Sequence, residues 1–416
     1  MRILHTADVH LDAAFTSHSD ALRRKLRDAS RAAFTRLVDH ALSEAVDALV
    51  IAGDLFDGDR LSFQTERMLL GELGRLSATG IPVVYATGNH DPGRTGRRAM
   101  DLRWPEGVHV ARDREPVTLI VQTPTGDNIG HITAVGHAGP RESEDLSVLF
   151  PTPTGDLPRV ATLHTQVNDA GGWQEHDAYA PSELGSLEAA GYDYWALGHV
   201  HRRQELSGTP SIHYPGNLQG RNPSESGAKG ALLADVRRGA SAIVSFVSLA
   251  PIRWEDLPVR SLREAATLDD LVHQVLNAWE SARADDGGDP GTEWIVRVDL
   301  RGATPLWQEL RREENQEHLR SELEMLLRVL HVSLRVGEVH RPVEIAEHLQ
   351  RTDVLGEALR LAQSIRETPG RELPMEPGEL IGIGSSDTHE EYVRDLLDGI
   401  EEEILARMLE GPGQNP

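Results

Sequence analysis

The chain has 416 residues, 39% of them apolar and 26% charged, which suits a globular protein of two or three domains. Its formal net charge is −24, from 42 Lys+Arg against 66 Asp+Glu, so a protein that holds nucleic acid by bulk positive charge is not expected. Cysteine is absent, which excludes disulfides, thiolate zinc sites, iron–sulfur clusters and cysteine nucleophiles.

The opening residues, Met1 to Asp8, lack the apolar core of a signal peptide and read as a short strand that stops at Asp8. No apolar run approaches the ~20 residues of a membrane span. A soluble cytoplasmic protein with no membrane partner is the expectation. Leu22, Leu26, Ala29, Ala33, Leu37 and Ala41 recur at helical spacing and predict a helix within 21–45. Ala48 to Ala52 is a short apolar run closed by Gly53, the pattern of a strand buried on both faces. A second helix is predicted near 63–78, and a third strand at Pro82 to Ala86, closed by Gly88. This rhythm predicts a parallel sheet with helical crossovers. Two further strands, Val160 to Leu163 and Tyr194 to Leu197, end at His164 and at Gly198-His199. Between them the spacing predicts a short helix, Pro181 to Ala190, capped by Ser182. Residues 115–137 and 211–248 alternate more like strands and predict a second sheet.

The composition shifts near 250, so residues 1–250 form the first predicted domain. Residues 251–341 read as a small α/β unit, with helices at 266–283 and 314–328 and strands at Glu293 to Leu300 and Val332 to Val336. Residues 342–416 are expected to be helical, with one helix to about Glu367, a Pro/Gly-rich linker at 369–384 and a last helix at 388–409. That last helix carries an apolar stripe of Val393, Leu396, Leu397, Ile400, Ile404 and Met408 opposite an acidic face.

The predicted strand ends share one chemistry. They deliver Asp8-Val9-His10, Gly53-Asp54, Gly88-Asn89-His90-Asp91, His164 and Gly198-His199-Val200-His201. In an open parallel sheet the carboxyl ends of the strands lie along one edge, where ligands bind. Carboxylate, amide and imidazole donors without sulfur suit manganese, iron or zinc better than calcium. Asp8, His10, Asp54, Asn89, His164, His199 and His201 are more ligands than one ion takes. One bridging carboxylate, with Asp54 at the centre of the set, and three further ligands per ion use them all. Two such ions clamp the attacking and leaving oxygens of a phosphoryl displacement and lower the pKa of a water. Gly53, Gly88 and Gly198 each precede a ligand, where a tight turn or close backbone approach is needed.

The ordered set resembles the calcineurin-like metallophosphoesterases, whose pattern is D-x-H, G-D-x-x-D, G-N-H-D/E, a His, then G-H-x-H. The resemblance implies an α/β fold, a β-sandwich flanked by helices, followed here by a small α/β capping domain and C-terminal helices. It assigns Asp8, His10, Asp54 and His201 to one ion, and Asp54, Asn89, His164 and His199 to the other. Manganese is the metal expected, with magnesium as the alternative. The opening from Ile3 to Leu11 and the segment Tyr214-Pro215-Gly216-Asn217-Leu218-Gln219-Gly220-Arg221 are similar to motifs of the SbcD-type DNA repair nucleases, closest to the YhaO-like exonuclease subgroup. This implies a metal-dependent DNA exonuclease or endonuclease, working as a homodimer beside an SbcC-like SMC-type ATPase. In the family, His90 contacts the scissile phosphate and protonates the leaving oxygen, and Asp91 is expected to orient it. Some nuclease relatives carry a second His where this chain has Asp57. Arg94, Arg97, Arg98, Arg202 and Arg203 flank the motifs and are the candidate DNA-phosphate contacts. The rival readings are a phosphomonoesterase or cyclic-nucleotide phosphodiesterase on the same site, and a scaffold that only binds the ATPase.

Overall fold

Successive side chains of the first strand enter two different cores. Leu4 packs with helix residues, and Ile3 packs with residues of a second sheet. A sheet that buries both faces in this way becomes an inner layer. The computed structural model describes residues 1–58, 61–93, 101–168, 180–260, 262–286, 291–342, 344–367 and 400–409.

In chain order the first unit, Met1–Trp254, contains β1 (Arg2–Thr6), α1 (Asp20–Ser43), β2 (Ala48–Ala52), α2 (Phe63–Thr79), β3 (Val83–Ala86), β4 (Val108–Ala111), β5 (Val117–Gln122) and β6 (Asn128–Val135). It continues with β7 (Arg159–His164), β8 (Val167–Asn168), β9 (Ser182–Glu183), α3 (Leu184–Ala189), β10 (Tyr194–Gly198), β11 (Gln204–Gly208), β12 (Ser211–Tyr214), β13 (Gly230–Asp235) and β14 (Ile243–Ser248). One sheet has the order β14-β13-β1-β2-β3-β4, and the other β11-β12-β10-β7-β6-β5. The central strands of each run parallel; antiparallel strands close three of the four edges, and β4 closes the fourth in parallel with β3.

Between the sheets lie Ile3, Val50, Val84, Ile132, Val160, Tyr194 and Ala196. On the outer face of the first sheet, Leu4, Leu49 and Ile51 meet Phe34 and Leu37 of α1 and Leu69, Leu73 and Leu76 of α2. On the outer face of the second, Leu163, Trp195 and Leu197 meet Leu187 of α3. The result is a β-sandwich flanked by helices. Both long helices start at serine caps: Ser19 accepts from the Leu22 N–H, and Ser62 from the Thr65 N–H.

Three expectations are corrected here. Of the stretch 211–248 expected in a second sheet, β12 joins that sheet but β13 and β14 join the first. The five motif-bearing strands are divided between the sheets, β1 to β3 in one and β7 and β10 in the other. The helix expected from Pro181 starts at Leu184, because the Ser182 hydroxyl is engaged by Thr165 and Asp145 and its backbone pairs in β9.

The second unit, Glu255–Pro416, takes most of β15 (Ile252–Val259), then α4 (Leu268–Asp286), β16 (Glu293–Ala303), α5 (Glu313–Leu327) and β17 (His331–His340). Its sheet has the order β15-β16-β17, and β16 and β17 pair in parallel around the α5 crossover. Trp279, Trp294, Val296, Val298, Leu319 and Leu323 fill its core. The single helix expected after Pro342 is two, α6 (Ile345–Leu349) and α7 (Val354–Glu367). The Asp353 carboxylate accepts from the Gly356 N–H and starts the second. The helix Ile400–Leu409 puts Leu405 against Leu355 and Leu359. The predicted linker at 369–384 and the first part of the last predicted helix, with Val393, Leu396 and Leu397, lie outside the described residues.

Candidate metal centre

Five strands end at one place. β1 runs out into Asp8 and His10, β2 into Asp54, β3 into Asn89 and His90, β7 ends on His164, and β10 runs out into His199 and His201. Backbone bonds tie the ends together. The Asp8 N–H donates to the Gly53 carbonyl at 3.1 Å and the His10 N–H to the Asp54 carbonyl at 2.9 Å. The His199 N–H donates to the Asp8 carboxylate at 3.0 Å, and the His90 N–H to Asp54 Oδ1 at 2.9 Å. Four of the seven predicted ligands hold left-handed backbone: Asp8 at φ 50°, His10 at 46°, Asp54 at 49° and His199 at 102°. Strain at non-glycine residues of this kind costs about 1–3 kcal/mol each and clusters at functional sites.

The glycines serve close approach. Gly53 sits at φ 89°, and a Cβ there would overlap the His164 imidazole. A Cβ at Gly198 would run into the Ala52 carbonyl oxygen, across the gap between the sheets.

The side chains gather in two groups that share Asp54. In the first, His201 Nε2 lies 3.5 Å from Asp8 Oδ1 and 3.3 Å from His10 Nε2, and His10 Nε2 lies 3.7 Å from Asp54 Oδ2. In the second, His164 Nε2 lies 3.4 Å from Asp54 Oδ2 and 2.9 Å from Asn89 Oδ1, which is 3.3 Å from His199 Nδ1. Ligands bonded at about 2.1 Å to one ion stand about 3 Å apart, so these spacings are those of coordination shells. The imidazoles are oriented to match. His10 Nδ1 faces Asp57 Oδ1 at 3.0 Å, His201 Nδ1 faces Glu225 Oε1 at 2.8 Å, and His164 Nδ1 donates to the Ala52 carbonyl at 2.9 Å. Each turns its Nε2 inward, as metal-ligating histidines do. The donor set therefore fits two divalent ions, with all seven predicted ligands brought together.

The electrostatics favour a cation. Burial pushes the Asp8 and Asp54 carboxyls up, but His201 and His164 respectively outweigh it and hold both below the usual carboxylate range. Burial works equally against charge on His164 and His201. For His164 the Asp54 carboxylate outweighs it, and for His201 Asp8 and Glu225 do, raising each to about 9.

His90 is half-exposed beside this centre, its Nδ1 3.5 Å from Asp57 Oδ1. The expected orienter, Asp91, is engaged elsewhere. Its buried carboxylate accepts from the backbone N–H groups of Asp54, Leu55, Phe56 and Gly88 and from the Tyr85 hydroxyl. It pins the two motif loops together, and the carboxylate beside the His90 ring is Asp57. Burial and the Asp54 charge raise Asp91 to about 6.

Sequence reasoning missed Glu225 and Arg221 as parts of the centre. Arg221 Nη1 donates to Asp57 Oδ1 at 3.1 Å, and its backbone N–H donates to Glu225 Oε2 at 2.6 Å. For Arg221 the available signal was its place at the end of the Tyr214–Arg221 motif noted above; Glu225 offered none. Of the candidate DNA contacts, Arg202 and Arg203 are exposed just past His201, with the Arg203 guanidinium 4.0 Å over the Phe246 ring. Arg94, Arg97 and Arg98 lie outside the described residues.

Comparison with known proteins agrees with this geometry. Residues 1–203 match the model of the calcineurin-like phosphoesterase family, and residues 254–339 match that of the middle domain of the metallophosphoesterase YhaO. The chain is similar to the metallophosphoesterase YhaO of Bacillus subtilis, at 30% identity over 311 residues, covering 74% of this chain and 73% of that protein. It is similar to the SbcD component of the nuclease SbcCD of Bacillus subtilis, at 28% identity over 377 residues, 80% of this chain and 90% of that one. It is also similar to the DNA double-strand break repair protein Mre11 of Methanopyrus kandleri, at 29% identity, covering 63% of this chain and 62% of that one. With the five motifs converging on one two-ion centre and a YhaO-type domain following them, the chain belongs to the calcineurin-like metallophosphoesterases, in the YhaO and SbcD/Mre11 group.

Proposed function

We propose that this metal-dependent phosphoesterase is the nuclease component of a DNA repair complex, hydrolysing phosphodiester bonds in DNA with manganese as its metal. Its proposed partners are an SbcC-like SMC-type ATPase and a second copy of itself, in the cytoplasm. The observation that carries the reading is the pairing of a complete two-ion donor set with the α/β domain matched by the YhaO model, an extension that a small phosphate ester does not require. The names of the SbcCD and Mre11 relatives support DNA as the substrate.

Bound ions supply Lewis acidity toward the phosphoryl oxygens and a nucleophile from water at neutral pH. Asp8, His10, Asp54 and His201 would hold one, and Asp54, Asn89, His164 and His199 the other. His90 presents its ring at the rim, backbone fixed by Asp54 and Nδ1 toward Asp57, and its imidazole is assigned the proton for the leaving oxygen. Arg202 and Arg203 flank the centre as phosphate contacts, with Arg94, Arg97 and Arg98 proposed for the same role.

The test is cleavage of end-labelled duplex and single-stranded DNA by the full chain with manganese, magnesium or chelator, alone and with the ATPase, and with nitrophenyl phosphate alongside. Manganese-dependent DNA cleavage is expected, and His90→Asn should lower kcat by about 10²–10⁴-fold with both ions still bound. Brisk hydrolysis of the small ester with no DNA cleavage, even beside the ATPase, would replace this reading with a phosphomonoesterase.

A further inference from the structure

We infer that Glu225, Arg221 and Asp57 form a positioning brace that serves one of the two ions and not the other. The inference rests on the two-ion reading of the centre.

The asymmetry lies in what stands behind three of the four imidazoles. His10 and His201 belong to the group that includes Asp8. Both have a carboxylate at Nδ1, Asp57 at 3.0 Å and Glu225 at 2.8 Å. His164, in the other group, has the neutral Ala52 carbonyl there instead, at 2.9 Å. A carboxylate behind a ligating imidazole fixes the ring and raises its basicity, and losing such a partner typically weakens metal affinity 10–100-fold.

The two carboxylates are joined. Arg221 donates to Asp57 Oδ1 at 3.1 Å, and its Nε stands 3.6 Å from Glu225 Oε1. Glu225 is held in turn, its Oε2 accepting from the Arg221 N–H at 2.6 Å and from Asn217 Nδ2 at 2.7 Å. Lys229, mostly buried, donates to the His201 carbonyl at 3.0 Å and fixes the backbone of the same ligand. One guanidinium thus links the supports of two imidazoles that face each other across one ion position. Buried ion pairs are weak contributors to stability, because desolvation offsets their attraction. A network that closes around two ligands of one ion is better explained as orientation of those ligands.

The experiment is titration of the full chain with Mn2+, read by calorimetry and by electron paramagnetic resonance. The natural protein should bind two ions and show the signal of a coupled pair. Glu225→Gln and Asp57→Asn should each weaken one ion about 10–100-fold and leave the other within about two-fold, so that an uncoupled Mn2+ signal appears at intermediate concentration. The retained ion reports that the variant is folded. Arg221→Met should lose the same ion, and Arg221→Lys should recover part of the loss. Two ions weakening together, or neither weakening, would overturn the brace. A natural protein that binds fewer than two ions would overturn the two-ion reading and the brace with it.

Discussion

The Nε2 atoms of His10 and His201 face each other at 3.3 Å, each with a carboxylate at its back. Without metal, His201 is raised to about 9 and its Nε2–H can donate to the His10 Nε2, so one proton occupies the place that a shared cation would take. Metal binding should stabilise the fold as well as enable chemistry. At about 100 times its dissociation constant, an ion bound only by the folded state adds about 2.7 kcal/mol per site. Calorimetric melts should show a rise of at least about 5 °C on adding Mn2+, reversed by chelator. Identical melts with metal and with chelator would contradict the assignment.

Asp91 is the most heavily committed carboxylate among the described residues around the centre. Asparagine there offers one acceptor oxygen and turns an amide N–H₂ toward backbone donors that need an acceptor. Asp91→Asn should cost at least about 3 kcal/mol, since each orphaned buried donor costs about 1–3 kcal/mol. Asp57→Asn should cost markedly less in denaturant melts. Equal costs would mean that Asp91 does not pin the two loops.

At Gly53 the backbone conformation and the neighbouring ring forbid a side chain together. Gly53→Ala should destabilise by about 1–3 kcal/mol through overpacking. It should also displace His164, so Mn2+ stoichiometry should fall from two to one. A variant that still binds two ions at unchanged affinity would show that the ring does not need that space.

Two buried histidines outside the ligand set give a pH dependence with a definite sign. Burial holds His5 down to about 3 and His137 down to about 4, against an ordinary 6.5. His5 is bonded as a neutral ring between the Tyr194 hydroxyl and the Leu197 carbonyl, both at 3.1 Å. As pH falls below about 6.5, the unfolded chain takes up protons that the folded chain refuses. Stability must then fall, by about 1.4 kcal/mol per pH unit for each histidine, until the folded values are reached. Thermal melts between pH 6.5 and 4.5 should drop steadily, and a flat profile would show that these rings accept protons in place.

The motif residues were legible because each closes an apolar run at a strand end, and that juxtaposition survives even when the strands are dealt into two sheets. The partition itself was not legible. β1 and β10 both read as short apolar runs, and only long-range pairing decides their sheet. Asp91 misled for a related reason: adjacency to His90 suggested a shared task, whereas the turn sends the carboxylate back under Gly88 and Leu55. Glu225 and Arg221 carry no local mark of metal chemistry. Their role comes from a loop after β12 folding beneath His201, which no periodicity announces.

The left-handed backbone at Asp8, His10, Asp54 and His199 also shapes how this protein would respond to selection in the laboratory. Glycine relieves such strain, so a library screened only for heat resistance would be drawn toward glycine at the very positions that hold the ions. The survivors would be sturdier and inert. Any engineering campaign on this chain has to score metal retention alongside melting, or it will optimise away the centre.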